Sequence, residues 1–310
     1  MTTTEQDSTT TLAHDPLVGP ELDTAPETAR GWASADLDLD AYLARIGYDG
    51  DRAPNVDTLR AVHRAHATTV PFENLGLLSG GGVRLDTASL QDKLVRRRRG
   101  GYCFEQNVLL AAALERLGYR VSGVSTRIRL GSRNVRPAAH AALLVEAEER
   151  MWLADVSVGE QGVLEPTPLV SGAEVRQGAG WRHRLAREED GTWALQLARG
   201  EDWQDLYGFT LEPHYRVDYV VQNHFAATHP TSPFRRTLFG SRGGEETAHS
   251  LSGLDLTVSR PDSPDEVVVL GPDELPGYFR DVLDVPLTSE EADELVVIGE
   301  RARADRETSG

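Results

Sequence analysis

The chain has 310 residues and contains 32 Lys and Arg against 49 Asp and Glu, which gives a formal net charge of −17. This excess of negative charge argues against a nucleic-acid partner, which requires a basic face to contact phosphates. No run of about 18 apolar residues occurs, so the sequence predicts no membrane span. The single cysteine excludes an intrachain disulfide and a metal site built from several cysteines.

Both ends of the sequence are acidic. Residues 1–30 contain six acidic residues and one arginine, and residues 281–310 contain nine acidic residues and three arginines. Because the first stretch is rich in Thr and carries three prolines, residues 1–34 are predicted to form a disordered acidic extension. They lack the basic start and apolar stretch of a signal peptide. Residues 301–310 are predicted to be a frayed tail.

Apolar residues recur at helical spacing through the first third of the chain. The predicted helices cover residues 36–47, 57–70, 87–98 and 102–117. Gly47 and Gly118 end two of them, and the pair Gly100-Gly101 allows a tight turn between the last two.

Short runs rich in β-branched and aromatic residues follow Gly118. The predicted strands are 121–129, 141–145, 151–156, 181–185 and 193–197. Residues 218–225 fit either a strand or a helix. The last part of the chain predicts a hairpin from 254–258 and 266–270, and helices over 273–283 and 289–299. Helices first, strands next and a mixture last predict an α+β fold.

Cys103 stands where a thiol would be reactive. It follows Gly100-Gly101-Tyr102, so the thiol falls in the first turn of the fourth predicted helix. The start of a helix carries partial positive charge and unpaired N–H groups, which favour the nucleophilic thiolate and could hold an oxyanion. A lone cysteine is also commonly a small buried hydrophobe, and the residues alone leave both interpretations open.

A nucleophilic cysteine needs a base, and the base needs an orienting group. His140 opens the apolar run 141–145, and Asp155 follows the apolar run that ends at Ala154. A polar turn between the two runs would make them antiparallel neighbours and bring the two side chains together. Alternatively, His140 caps a strand while Asp155 binds turn amides, and the pattern alone leaves that open.

The ordered combination of motifs resembles the arylamine N-acetyltransferase family. The helix 39–48, the segment 70–75 with its Val-Pro-Phe-Glu-Asn-Leu sequence, and the cysteine segment 98–107 are similar to family motifs. His140 with the strand after it, and Asp155-Val156, are similar to the rest of the family's catalytic triad. Later landmarks are Glu165-Pro166, Pro168-Leu169, Asn223, Pro230, Ser232 and Phe234. The resemblance extends over residues 37–290.

The resemblance implies an α+β protein with a papain-like cysteine core. Its three domains would be an N-terminal helical bundle carrying the nucleophile (35–118), a central β-barrel carrying the His and Asp (119–222), and a C-terminal α/β lid (223–300).

The resemblance also implies a reaction, in which Cys103 is the nucleophile, His140 the base and Asp155 the orienting group. An acetyl or other short acyl group would pass in a ping-pong sequence from acyl-CoA, through an acyl-cysteine intermediate, to the nitrogen of a small aromatic amine or the oxygen of a hydroxylamine. Acetyl-CoA would be a co-substrate, with no bound cofactor and no metal. Further residues are implied at the substrate cleft (Phe72, Val158 and Phe234) and as support for the nucleophile (Arg99 and Glu73). A reactive thiol and a coenzyme-A donor indicate the cytoplasm.

Two other motifs have simpler explanations. The basic run Arg96–Arg99 could contact coenzyme phosphates, but a charge run at a helix end is better explained by solvation or by the negative end of that helix. Gly80-Gly81-Gly82 lacks the Lys-Ser/Thr of a phosphate-binding loop and predicts a turn.

The segment after Asp155 departs from the family pattern. Family members commonly show aspartate-valine-glycine-phenylalanine-glycine, where this chain has Asp155-Val-Ser-Val-Gly159. Val158 in place of an aromatic residue reduces the surface for stacking an aryl ring. An alternative function is therefore that of the related amide synthases of ansamycin-type assembly, which take the acyl group from a carrier protein. The same residues would also suit a thiol hydrolase, since the triad does not prevent water from attacking. A non-catalytic binding protein that retains the fold is a third class, but the presence of all three triad residues gives it no support.

Overall fold

The computed structural model describes residues 31–132, 134–158, 161 and 163–309. Its helices are α1 (Leu39–Ile46), α2 (Val56–Thr69), α3 (Leu75–Leu78), α4 (Thr87–Leu90), α5 (Cys103–Arg116), α6 (Arg216–Thr228), α7 (Leu275–Gly277) and α8 (Ser289–Ser309). Helix α4 continues as a π-helical segment, Gln91–Arg96, and α7 continues as another, Tyr278–Val282. Short 3-10 turns occur at Ser34–Asp36, Pro233–Arg235 and Pro272–Glu274.

The strands of the described residues form two antiparallel sheets. The larger sheet contains β2 (Arg120–Ile128), β3 (His140–Ala147), β4 (Arg150–Ala154), β5 (Thr167–Pro168), β6 (Glu174–Gln177), β7 (Trp181–Arg187), β8 (Trp193–Arg199) and β9 (Asp202–Phe209). The smaller sheet contains β1 (Phe72–Glu73), β10 (Phe239–Arg242), β11 (Ala248–Ser252), β12 (Asp255–Ser259) and β13 (Glu266–Val269). With helices before the large sheet and a mixed region after it, the predicted α+β class is confirmed.

The larger sheet is a nearly closed barrel, with strand order β5-β4-β3-β2-β9-β8-β7-β6. Its ends approach each other because Ser171, shortly after β5, bridges Leu185 of β7. Apolar side chains fill the interior, among them Leu144, Leu195 and Leu206.

Strand β3 lies between two hydrophobic cores. Alternate residues along a strand point to opposite faces. Ala141 and Leu143 accordingly pack in the core around α5, while Ala142 and Leu144 pack in the barrel core. A strand that is buried on both faces has apolar residues at successive positions, which explains the unbroken apolar run 141–145.

Helix starts follow local capping. The Asn55 side chain accepts a hydrogen bond from Thr58 N at 2.8 Å, so α2 begins at Val56, just before the predicted start at residue 57. Asp38 caps α1 by accepting from Ala41 N at 3.0 Å. Gly47 ends α1 with a left-handed φ of 72°, as predicted.

The glycine pair before Cys103 serves close packing rather than a tight turn. The left-handed residue in this connection is Arg98, with φ 54°. A Cβ atom added at Gly100 would lie 2.5 Å from Pro71 O and 2.6 Å from Glu73 Cγ. Only glycine lets the chain leading to Cys103 lie against segment 71–73 in this way.

The chain ends differ from the sequence-based expectation. Residues 1–30 lie outside the described part of the chain. Trp32, predicted to lie within the disordered extension, is buried, and its ring N–H donates to Val121 O at 3.1 Å. At the other end, α8 continues past the predicted stop at residue 299 through Ser309, where a frayed tail was predicted.

Residues 218–225, for which the sequence fitted either a strand or a helix, form part of helix α6. That helix crosses the predicted domain boundary between residues 222 and 223. The predicted hairpin is confirmed, because β12 and β13 pair antiparallel. Within the described residues, no helix is both long enough and apolar enough to cross a membrane.

Candidate active site

Cys103 is the first residue of α5, which agrees with its predicted place in the first turn of a helix that was expected to start at Tyr102. Only 1% of the surface of Cys103 is exposed. The Glu105 carboxylate accepts a hydrogen bond from Tyr102 N at 3.2 Å, which fixes the chain at the start of the helix. The sulfur therefore lies in the first turn, where backbone N–H groups lack partners within the helix. Burial is typical of a cysteine that serves only as a small hydrophobe, whereas a position at the start of a helix is typical of a reactive thiol. Since Cys103 has both features, the neighbours of its sulfur decide between the two interpretations.

His140 and Asp155 are in direct contact. His140 Nε2 lies 2.6 Å from Asp155 Oδ2, and both side chains are buried. Strands β3 and β4 form an antiparallel hairpin that brings the two residues together. An ionised carboxylate can only accept, so Nε2 carries the hydrogen and Nδ1 is left for another partner.

The other partner of His140 is Cys103, whose side chain is hydrogen-bonded to it. Burial acts against the imidazolium, but the charges and hydrogen bonds of Asp155 and Cys103 outweigh it. They hold the pKa of His140 well above its ordinary value. The structure thus brings Cys103, His140 and Asp155 into one series of contacts, and the imidazolium form is favoured beside the sulfur.

Asp155 is held from several sides. Its Oδ1 accepts from Asn107 Nδ2 at 2.9 Å and from Ser157 N at 3.0 Å. Burial alone would raise the pKa of Asp155, but the charge of His140 and these donors lower it below its ordinary value. The carboxylate therefore stays ionised although it is buried.

His63 holds the backbone of Asp155. Its Nε2 accepts from Asp155 N at 3.0 Å, which leaves Nδ1 to donate to Leu164 O at 2.9 Å. Burial lowers the pKa of His63 below its ordinary value. The ring is thus a neutral bridge between α2 and the chain that follows β4.

Three neighbours of the series were missed from the sequence: Asn107, His63 and Tyr207. Asn107 did carry a signal, since it is a polar residue on an apolar helix, four positions after Cys103 and so on the same face. The Tyr207 ring lies 5.4 Å from the His140 ring. Its position depends on strand β9, which was not predicted.

Aromatic residues form a cluster beside the cysteine segment. The Phe234 ring lies 6.1 Å from the Phe72 ring and 5.2 Å from the Tyr102 ring. The Tyr102 hydroxyl is hydrogen-bonded to Asn223 on α6. Phe72 and Phe234 are half-buried, so the predicted pair stays partly open to a ligand.

Val158 lies apart from that cluster. It is 5% exposed and packs in the barrel core with Leu144, Leu153 and Leu164. Its expected place in the substrate cleft stays a prediction.

Arg99 and Glu73 lie together, as expected, behind the cysteine segment. Arg99 Nη2 is 3.5 Å from Glu73 Oε1, and Arg99 also pairs with Glu291 of α8. The neighbouring arginines pair with carboxylates as well, Arg97 with Asp92 and Arg98 with Asp284. These contacts favour the structural explanation of the basic run.

Among the residues that the structure describes, no three His, Cys, Asp or Glu side chains are grouped to hold a metal ion. A buried thiol, an imidazole and a carboxylate in series define the class of enzymes that use a nucleophilic cysteine.

Comparison with known proteins identifies the family. The family model described as N-acetyltransferase matches residues 55–292. The arylamine N-acetyltransferase of Escherichia coli K12 is 42% identical over 205 residues, which cover 66% of this chain and 72% of that one.

Solved structures agree. The arylamine N-acetyltransferase of Nocardia farcinica matches with a TM-score of 0.83 and 44% identity, over 88% of this chain and 98% of that chain. The Mycobacterium marinum enzyme in complex with CoA matches with a TM-score of 0.75 and 31% identity, over 86% and 98%. The chain belongs to the arylamine N-acetyltransferase family, and the resemblance inferred from its motifs is confirmed.

Proposed function

We propose that this enzyme transfers an acetyl or other short acyl group from acyl-CoA to an arylamine nitrogen, or to the oxygen of an arylhydroxylamine, through an acyl intermediate on Cys103. The observation that carries the proposal is the contact series Cys103–His140–Asp155. It places the only thiol of the chain beside a base that could accept its proton. Binding of CoA by the related Mycobacterium marinum enzyme supports the choice of donor.

In the first half-reaction, the Cys103 thiolate attacks the thioester carbonyl. The N–H groups at the start of α5 stabilise the oxyanion that forms. The bond from carbon to the coenzyme sulfur then breaks, and the His140 imidazolium gives its proton to the leaving thiolate. One thioester replaces another, so this half-reaction is nearly balanced in energy.

In the second half-reaction, the amine attacks the acyl group on Cys103. His140 is now neutral and takes the proton from the amine, while Asp155 stabilises the imidazolium that results. The bond from carbon to Cys103 breaks, and the thiolate returns beside the imidazolium. Amide formation makes this half-reaction strongly favourable.

The aromatic cluster supports an aryl acceptor. Phe72 and Phe234 are half-buried and lie against Tyr102, which immediately precedes the nucleophile. An aryl ring beside them would gain both apolar burial and aromatic contact. Arg99 and Glu73 would hold the nucleophile segment from behind.

Intact-mass analysis tests the proposal. Incubation with acetyl-CoA should add one acetyl group to the wild type and none to Cys103→Ala, and a later addition of 4-aminobenzoate should remove the group and yield the acetylated amine. Steady-state rates should then give the parallel lines of a ping-pong reaction.

Two results would contradict it. No adduct with any short acyl-CoA would redirect the search to carrier-bound acyl donors, as in the amide synthases. Release of free acid at the same rate with and without the amine would identify a thiol hydrolase.

A further inference from the structure

Ser157 makes an unusual double contact with the carboxylate of the site. It lies two residues after Asp155 and is 7% exposed. Its backbone N lies 3.0 Å from Asp155 Oδ1, and its hydroxyl Oγ lies 2.9 Å from the same oxygen. Asn107 Nδ2 lies 2.9 Å from Asp155 Oδ1 and 2.9 Å from Ser157 Oγ. Asp155 Oδ1 thus lies within hydrogen-bonding distance of three donor atoms, while Oδ2 lies 2.6 Å from His140 Nε2. The Tyr207 side chain also interacts with the Asp155 carboxylate.

The direction of each hydrogen bond follows from the chemistry of the groups. An ionised carboxylate has no hydrogen to give, so the Ser157 hydroxyl donates to Asp155. The same hydroxyl oxygen then accepts from Asn107. Asn107 Nδ2 has two hydrogens for three acceptors, because Ala141 O also lies 2.8 Å away. Removing the Ser157 hydroxyl therefore leaves both hydrogens of Asn107 with partners.

We propose that Ser157 is a positioning residue that acts on His140 through Asp155. Its hydroxyl fixes Oδ1 and draws negative charge toward that oxygen, so Oδ2 becomes a weaker acceptor for the Nε2–H of His140. The imidazolium is then held less strongly, and His140 returns more readily to the neutral base that the second half-reaction needs. This inference rests on the proposed function and concerns the regulation of basicity at the same site.

The other groups near the pair come from four elements. These groups are Cys103 and Asn107 on α5, Tyr207 on β9, His63 on α2 and Tyr219 on α6. The negative charge of Glu165 acts on His63 and partly offsets the lowering of its pKa by burial. Replacing Ser157 by alanine keeps the backbone donor to Asp155 and leaves all of these groups in place. The substitution therefore isolates the hydroxyl.

The first experiment follows the second half-reaction. Cys103 is acetylated with p-nitrophenyl acetate, which loses nitrophenolate, and the excess reagent is removed. Loss of the acetyl group to aniline is then followed by intact mass across pH. The acid limb of that rate reports the pH at which His140 becomes neutral in the acyl-enzyme.

Ser157→Ala and Ser157→Gly should each move that limb upward by ~0.5–1 pH unit. A hydrogen bond to a charged group is worth about 1–2 pH units to the group that it contacts, and only part of this effect passes through Asp155 to His140. Ser157→Thr retains the hydroxyl and should restore the wild-type limb. A structural role alone would change the rate or the melting temperature without moving the limb. Limbs of both deletion variants that coincide with that of the wild type would overturn the proposal.

The second experiment needs no acyl donor. The hydrogen between His140 and Asp155 should give a far-downfield proton NMR resonance whose shift titrates with His140. Its midpoint should move upward in Ser157→Ala and remain in place in Ser157→Thr, and an unmoved midpoint in Ser157→Ala would again overturn the proposal. If the wild type fails to accept an acyl group, the proposed function fails, but this titration still decides the role of Ser157.

Discussion

Gly100→Ala tests whether close packing against segment 71–73 positions the nucleophile. Gly100 is buried, and an added Cβ would lie 2.5 Å from Pro71 O and 2.6 Å from Glu73 Cγ. Neither neighbour can move freely. Pro71 O accepts from Gly101 N at 3.2 Å, and the Glu73 carboxylate accepts from Leu75 N at 2.7 Å.

The size of the effect follows from these distances. Carbon atoms in contact stay about 3.5 Å apart, so the two segments must separate by roughly 1 Å. Overpacking of this kind lowers the free energy of unfolding by about 1–3 kcal/mol. Since Cys103 is only three residues further along the chain, we expect its sulfur to shift as well. A displacement of about 1 Å at reacting atoms lowers kcat/KM by roughly 100-fold.

The assay combines urea unfolding with the rate of acetyl transfer. Gly82→Ala is the matched control, because Gly82 is exposed and an added Cβ meets nothing within 4 Å. We expect the control to stay within about 0.5 kcal/mol of the wild type in stability. If Gly100→Ala behaves like Gly82→Ala in both measurements, close packing at Gly100 does not position the nucleophile.

Asp155→Asn should lower kcat by roughly 10³–10⁴, because an amide no longer stabilises the imidazolium; a variant that keeps a tenth of the wild-type rate would contradict the role of Asp155. His140→Gln should slow alkylation of Cys103 by iodoacetamide at pH 7 by at least ~10-fold. The pKa of His140 is raised in the folded state, so the protonated ring stabilises the fold fully below its ordinary pKa, and this stabilisation is lost as the pH rises through the folded-state pKa. The difference in melting temperature between the wild type and His140→Gln should therefore shrink at high pH. A difference that does not change with pH would refute this. Burial lowers the pKa of His183 from 6.5 to about 4, so the unfolded chain binds a proton in that window that the folded chain does not. Between these two values, the free energy of unfolding should fall by about 1.4 kcal/mol for each pH unit of acidification. In urea titrations at several pH values, His183→Gln should make this dependence on pH less steep. An unchanged pH dependence in the variant would count against the role of His183.

The helices and central strands were predictable because each buries one or two regular faces. Apolar spacing located α5 and therefore placed Cys103 at its start. Strand β9 was missed because Asp202, Gln204 and Asp205 interrupt the apolar pattern of a strand that lies inside the sheet. Helix starts shifted by up to three residues because the sequence offers several capping side chains and the fold selects one.

The residues of the proposed triad carried a clearer signal in the sequence than the residues that hold them. Cys103, His140 and Asp155 each lie at the end of a predicted helix or strand, next to an apolar run. A polar side chain at such a position is costly to bury unless it has a partner. His63 gave no comparable signal, since its role consists of accepting from a backbone N–H ninety-two residues further along the chain. Such a contact is a property of the assembled fold, and no local pattern records it.

Asn107 joins the nucleophile helix to the barrel through Ala141 O and Asp155 Oδ1. The Asn107 amide therefore contributes both to the contact between the helical and β layers and to the orientation of the Asp155 carboxylate. Partial denaturation that loosens the contact between these two layers is therefore expected to lower turnover before the secondary structure melts. Specific activity in this enzyme is accordingly a sensitive gauge of how firmly its helical and β layers are docked.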